Sequence, residues 1–133
     1  MATISATTRL PDWLEREIRT FWEAHGEGPS IGLRRVVEEW WVMQHFPAIE
    51  FRDGVSGRRA ALREGPDVWE VVMVARDYGD DLDALAAHFG GQISPDALKQ
   101  ALGYAARFPQ EVQDWIAENE RIGRFLASRS GAR

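Results

Sequence analysis

The sequence predicts a mostly α fold with minor β, on three observations. Apolar residues recur every three to four positions over most of the chain, one segment near the start alternates, and one glycine-containing segment centred near residue 55 reads as a turn between strands. In order the elements read as strand, two helices, hairpin, then four helices of which the last is long. Residues 3–10 (TISATTRL) place Ile4, Ala6, Thr8 and Leu10 on one side and Thr3, Ser5, Thr7 and Arg9 on the other, the pattern of a short half-buried strand. Pro11, with Asp12 and Glu15 in the first turn, opens a helix expected over about 12–25, and Gly26-Glu27-Gly28 stops it. Ser30 is the expected N-cap of a second helix, in which Leu33, Val36, Val37, Trp40, Trp41 and Gln44 form the inward face and Arg34, Arg35, Glu38 and Glu39 the outward one.

At His45-Phe46-Pro47 the Trp-rich helical pattern gives way to short strands, which places a domain boundary at residues 46–47 and predicts domains of 1–46 and 47–133. Residues 49–62 read as a hairpin with a glycine-containing loop. Asp67 followed by Glu70 is the spacing of a capping box and opens a helix to about Tyr78. Asp80 or Asp81 caps a short helix to Phe89. Ser94 with Pro95 opens another to about Phe108, and Pro109 starts a terminal helix that is expected to fray over 128–133.

Composition narrows the function classes. At 133 residues, 44% of them hydrophobic, the chain suits one compact domain or two very small ones. No cysteine is present, which excludes disulfides, thiolate metal sites and a cysteine nucleophile. No cofactor is expected. A net charge of −5 argues against coating nucleic acid by bulk electrostatics, so any such contact must be local. The opening residues lack a basic segment followed by an apolar run, and no stretch approaches a membrane span. A cytoplasmic location is the expectation.

Signals for catalysis are weak. His25, His45 and His88 sit at no metal-ligand spacing, and helix-end or packing roles suit them better. Gly26, Gly28 and Gly32 lack the preceding strand and following lysine of a phosphate loop, so they read as a helix-to-helix turn. Asp77, Asp80, Asp81 and Asp83 are explained better by caps and solvated charge than by a hard cation. The chain is therefore expected not to be an enzyme, with no catalytic and no metal-binding residues.

Binding has more support. An eight-residue strand is too short to be stable alone, and pairing two copies about a two-fold axis makes an antiparallel ribbon that fits the major groove of DNA. Ser5, Thr7 and Arg9 would then face the bases. The run T-x-R-L-P-D-x-L, then a helix, G-x-G-x-S and a second amphipathic helix resembles the ribbon-helix-helix DNA-binding domain of bacterial repressors and antitoxins, over residues 1–46. The resemblance implies base reading by the outward strand residues before Leu10-Pro11 and a phosphate held by backbone amides near Ser30 and Ile31. The phosphate role also follows from the free amides at any helix start. A ribbon that dimerises without touching DNA stays open, since this half carries five basic against seven acidic residues.

The second half, I-x-F-x-x-G-x-x-G-R-R-A-x-L-x-x-G-x-D-V-W-E-V-V followed by D-L-D-A-L-A-A-H-F-G and S-P-D-A-L-K-Q-A-L-G-Y-A-A, is similar to the bacterial domain-of-unknown-function number 433 family over about residues 47–120. Members of that family resemble VapB-type antitoxins and are often encoded beside PIN-like ribonuclease toxins, which implies such a toxin as partner. Leu82, Leu85, Ala86 and Phe89 with Leu98, Ala101, Leu102 and Ala105 form a helix-turn-helix-like pair stacked on the Val68 helix. Lys99, Gln100 and Arg107 on its outer side are too few to favour DNA over simple packing.

Two features point to a partner. Arg52, Arg58, Arg59 and Arg63 cluster in the hairpin, where Arg58 and Arg59 suit phosphate, a partner's carboxylates, an acidic nuclease site or mere edge protection. Trp115, Phe125 and Leu126 exceed what a small trihelical core needs, and they anchor either a partner or a return onto Trp40 and Trp41. The expectation is a homodimer, or a higher even oligomer, that binds its own operator DNA and neutralises a PIN-like ribonuclease toxin. The alternative is a DNA-independent dimeric adaptor.

Overall fold

A computed structural model describes residues 3–79 and 81–131. Among them are six helices and one two-stranded antiparallel sheet: α1 Asp12–Ala24, α2 Pro29–His45, β1 Ile49–Gly54, β2 Gly57–Leu62, α3 Val68–Ala75, α4 Leu82–His88, α5 Pro95–Arg107 and α6 Pro109–Gly131. No helix of the described residues is long and apolar enough to cross a membrane.

The chain folds as two compact units, one up to Trp40 and one from Trp41. The division falls inside α2 and not at residues 46–47, because the last turn of α2 contributes its side chains to the second core. Val42 is buried there, and the Phe46 ring sits against the bare Cα of Gly103.

In the first unit, α1 and α2 meet where the Trp22 indole lies on Gly32. A Cβ at Gly32 would come within 2.2 Å of the ring, so only glycine admits this approach. Around that contact α2 turns part of its charged face inward. Arg35 donates two 2.9 Å bonds to Glu27 and one of 3.2 Å to Glu39, and its guanidinium lies 4.6 Å from the Phe21 ring centre. Glu39 is buried while Trp40 is 58% exposed. This departs in part from the expected facing of α2: Arg34 and Glu38 are exposed as expected, whereas Glu39 is buried, Arg35 is half-buried, and Val37, Trp40 and Gln44 are exposed. Of the expected inward stripe Leu33, Val36 and Trp41 are half-buried, and the fully buried positions of the helix are Gly32, Glu39 and Val42. The helix starts at Pro29, so Ser30 lies in its first turn instead of capping it.

Residues 3–10, expected as a half-buried strand, form no strand within the chain, and all but Leu10 are exposed. A strand requires a ladder partner, and the first unit contains no other extended segment among the described residues to supply one.

The second unit is built on the hairpin. Its register pairs Ile49 with Leu62, Phe51 with Ala60 and Gly54 with Gly57, leaving Val55 and Ser56 as the loop. Gly57 has φ +127°, a conformation that disfavours any side chain. Ile49 and Leu62 pack with Val68 and Val71 of α3, Leu85 of α4, Leu98 and Ala101 of α5, and Val112 and Ile116 of α6. The caps form where the sequence places two of them. Asp81 accepts from the Ala84 amide at 3.0 Å, and Ser94 accepts from that of Ala97 at 3.0 Å. Asp80 lies outside the described residues. Helix α6 continues to Gly131 instead of fraying from Ser128, and every described residue from Gly123 onward is exposed, Phe125 and Leu126 included.

Candidate functional site

Concave surfaces that collect polar side chains lie in both units. The surface of the second unit is the better defined. Strand β2 sends Arg59 along its outer side, where it pairs with the buried carboxylate of Asp67 at the start of α3. Gly54 makes this possible, since a Cβ there would lie 1.9 Å from an Arg59 guanidinium nitrogen. The same carboxylate accepts from the Trp69 indole N–H at 3.1 Å. Asp67 is the residue preceding α3, but its side chain makes no capping bond, being spent on Arg59 and Trp69. The expected capping box does not close through the Asp67 side chain, although Asp67 does precede the helix that Glu70 enters.

Helix α6 closes the surface. Trp115 packs over the hairpin, its ring edge 3.5 Å from where a Gly57 Cβ would be, with Glu118 one turn on. The resulting cleft is about 360 Å³ and is lined by Val55, Ser56, Arg59, Asp67, Trp69, Glu70, Trp115, Glu118, Asn119 and Ile122. A second cleft of about 310 Å³ adjoins it across Trp115 and is lined by Ser56, Glu111, Asp114, Trp115 and Glu118. Burial, and then the neighbouring Asp67 carboxylate, push the Glu70 carboxyl above its ordinary range, against the Asp67 amide, Arg59 and Arg52. Glu118 is held low by its bonds to Arg121, at 3.0 and 2.6 Å.

The arginine cluster is largely internal wiring. Arg52 donates to the Gly65 carbonyl at 2.9 Å and the Leu62 carbonyl at 2.6 Å, tying down the turn after β2. Arg63 donates to the Pro47 carbonyl at 2.9 Å, and Arg58 reaches Asp53 at 3.3 Å. Of the four residues expected to meet a partner, Arg59 and Trp115 share the cleft, Arg58 pairs across the hairpin, and Phe125 lies on the exposed end of α6. The sequence reading passed over Asp67, Trp69, Glu70 and Glu118 as site residues. The available signal was on α6, where Glu111, Trp115 and Glu118 recur at spacings of four and three, putting acids on both sides of one indole.

In the first unit, a groove of about 370 Å³ runs between the N-terminal segment and the two helices, with Thr7, Thr8, Arg19, Trp22 and Ser30 among its lining. The first backbone bond of α2 runs from the Gly32 amide to the Gly28 carbonyl at 2.9 Å, so the Ser30 and Ile31 amides precede the intrahelical ladder. No acid occupies that first turn. Thr7 and Ser30 thus share a groove, whereas Ser5, Arg9 and Ile31 are exposed outside it.

The remaining polar candidates serve packing. Gln100 accepts from the Ala48 amide at 2.8 Å, and Arg107 lies 5.8 Å from the Trp41 ring centre, which leaves Lys99 alone on that helix face of the three. The His25 ring nitrogen meets the Phe21 carbonyl at 2.7 Å, that of His45 the Trp41 carbonyl at 2.9 Å, and that of His88 the Tyr78 hydroxyl at 3.0 Å. Among the described residues no group of three or more potential ligands could hold a metal ion. No protein-family model, curated protein or solved structure matches this chain.

Proposed function

We propose that the chain is an antitoxin-like transcriptional regulator, in which the first unit dimerises and binds operator DNA and the second engages a partner, a PIN-like ribonuclease toxin. The observation that carries the reading is the exposed part of the apolar stripe of α2, Val37 and Trp40. A helix that keeps Arg35 and Glu39 inside while leaving Val37 and Trp40 outside is suited to an apolar surface that a second copy covers. The unpaired residues 3–10 supply a ladder edge for the same two-fold partner. In the ribbon so formed, Ser5, Thr7 and Arg9 would reach base edges, and the Ser30 and Ile31 amides would grip a phosphate. The partner role of the second unit is supported by Trp115 and the exposed Phe125 more than by Arg58 or Arg59, whose charges already have carboxylate partners. A DNA-independent dimeric adaptor is the second reading, favoured by the acidic balance of the first 46 residues.

The test is fluorescence anisotropy with duplex DNA from immediately upstream of the chain's own gene, beside a scrambled duplex, across a salt series. Specific, salt-sensitive binding is expected. Arg9→Ala should weaken operator affinity by about 1–3 kcal/mol and relax base preference, with its melting temperature unchanged because Arg9 is exposed. Equal, weak binding of both duplexes would transfer the lead to the adaptor reading.

A further inference from the structure

Helix α6 outruns the core it belongs to. Its last buried residue is Ile116, and every described residue from Gly123 to Gly131 is exposed, an extension of about 13 Å at 1.5 Å per residue. Gly123, Ser128 and Ser130 are weak helix formers, and an isolated helix of this length is marginal in water. The extension nevertheless carries an apolar stripe. Ile122, Phe125 and Leu126 follow one another at spacings of three and four, with Phe125 55% and Leu126 58% exposed.

Charge selects what covers that stripe. Up to Glu120 the ionised residues of α6 are all acids, Glu111, Asp114, Glu118 and Glu120; from Arg121 they are all bases, Arg121, Arg124 and Arg129. The helix dipole favours this order only in the terminal turns, so it does not account for the change of sign at mid-helix. Glu118 and Arg121 cancel each other within the helix at 2.6 Å. The bond to Asp114 comes from the neutral Gln110 amide and leaves its charge in place, and among the described residues no ion pair engages Glu120, Arg124 or Arg129. Two copies of α6 side by side in parallel, or tail on tail, would set like charges together. Laid antiparallel along their length, they set each basic half on an acidic half twice over.

We infer that α6 pairs antiparallel with α6 of a second copy of this chain about a two-fold axis, each tail lying along the other's acidic half. Setting Phe125 opposite Trp115 of the second copy gives its ring a seat in the cleft of about 310 Å³ beside that indole. The same register brings Arg129 to the acidic first turns of the other helix and leaves the axis at residue 120. This contact is separate from the ribbon and from α2, and it rests on neither operator DNA nor a toxin. A toxin that used Trp115 and Phe125 would have to displace the second copy.

Because the chain has no cysteine, one introduced cysteine can carry a nitroxide label at a chosen place. The full chain is labelled in two variants, Arg121→Cys near the axis and Ser130→Cys near the tip, and distances between copies are measured by pulsed electron paramagnetic resonance. At 121 the expected distance is about 20 Å, the 8–10 Å between packed axes plus the label arms. At 130 it is about 30 Å, twice the rise from the axis to the tip. Short distances at both sites would mean parallel helices, a short distance at 130 alone would mean tail on tail, and no distance at 121 in this range would mean no pairing; each would overturn the inference. Phe125→Ala with Leu126→Ala replaces two exposed side chains by a good helix former, so it should abolish the distance at 121 with the far-UV circular dichroism unchanged. Persistence of that distance would equally overturn it. The same double variant should bind operator DNA as the parent does, so a failure of the DNA reading and a failure of this one are separable.

Discussion

At Glu70 the local effects oppose one another, and their net direction has a measurable consequence. Burial and the Asp67 carboxylate raise its pKa, while the Asp67 amide, Arg59 and Arg52 pull it down and do not prevail. A carboxyl with a higher pKa in the folded chain than in the unfolded one favours folding while both forms are protonated, and that contribution is lost as pH rises through the folded value. Ionised Glu70 therefore costs stability at neutral pH. Glu70→Gln should raise the melting temperature at pH 7 by about 1–3 °C, a small effect because the group is partly solvated, and the gain should vanish near pH 4. A variant melting below the parent at pH 7 would show that the groups favouring the ionised carboxylate outweigh its burial. Single residues of this site were legible in the sequence only as types. The spacing of Asp67 and Glu70 reads as a helix start, and it is one. That the Asp67 carboxylate would instead take Arg59 depends on the hairpin register and on the bare Cα of Gly54, which no local pattern encodes.

Between residue and fold, the helices show where periodicity informs and where it misleads. Caps at Asp81 and Ser94 are local bonds between neighbours in sequence, and they form as read. The facing of α2 is not local. Its apolar side and its charged side were both visible, but an intrachain network of Arg35 with Glu27 and Glu39, and a tryptophan seated on Gly32, draw Glu39 and part of Arg35 inward while Arg34 and Glu38 stay exposed. The same substitution at two helical glycines separates these influences. Gly123 has open space around it in α6, so Gly123→Ala should stabilise by about 0.5–1 kcal/mol through helix propensity. Gly32→Ala gains a similar propensity but drives a methyl into a buried indole, and overpacking of this kind costs about 1–3 kcal/mol. Urea denaturation followed by helical circular dichroism should show opposite signs for the two variants. A stabilised Gly32→Ala would mean that α1 and α2 are not packed through Trp22.

On the scale of the whole chain, the division between units does not coincide with the change in sequence pattern. Composition shifts at Phe46-Pro47 because helix-forming residues end there, and that signal marks an element boundary. The unit boundary is set by which core each side chain enters, and the final turn of α2 enters the second one. Val42 is buried among Ile49, Tyr104 and their neighbours, the Phe46 ring meets that of Tyr104 edge-on at 6.1 Å, and Trp41 meets Phe108 at 6.4 Å. A fragment beginning at residue 47 would lose all three. Burial of one such side chain is worth about 1.5–3 kcal/mol, a large share of what a unit of this size has to spare. A fragment of 41–133 should therefore melt cooperatively and at a clearly higher temperature than one of 47–133, although the two differ by only six residues. Equal melting temperatures would place the boundary at 46–47 and make the last turn of α2 an appendage of the second core. The expected difference would instead make the last turn of α2 a structural part of the second unit, with the boundary inside the helix.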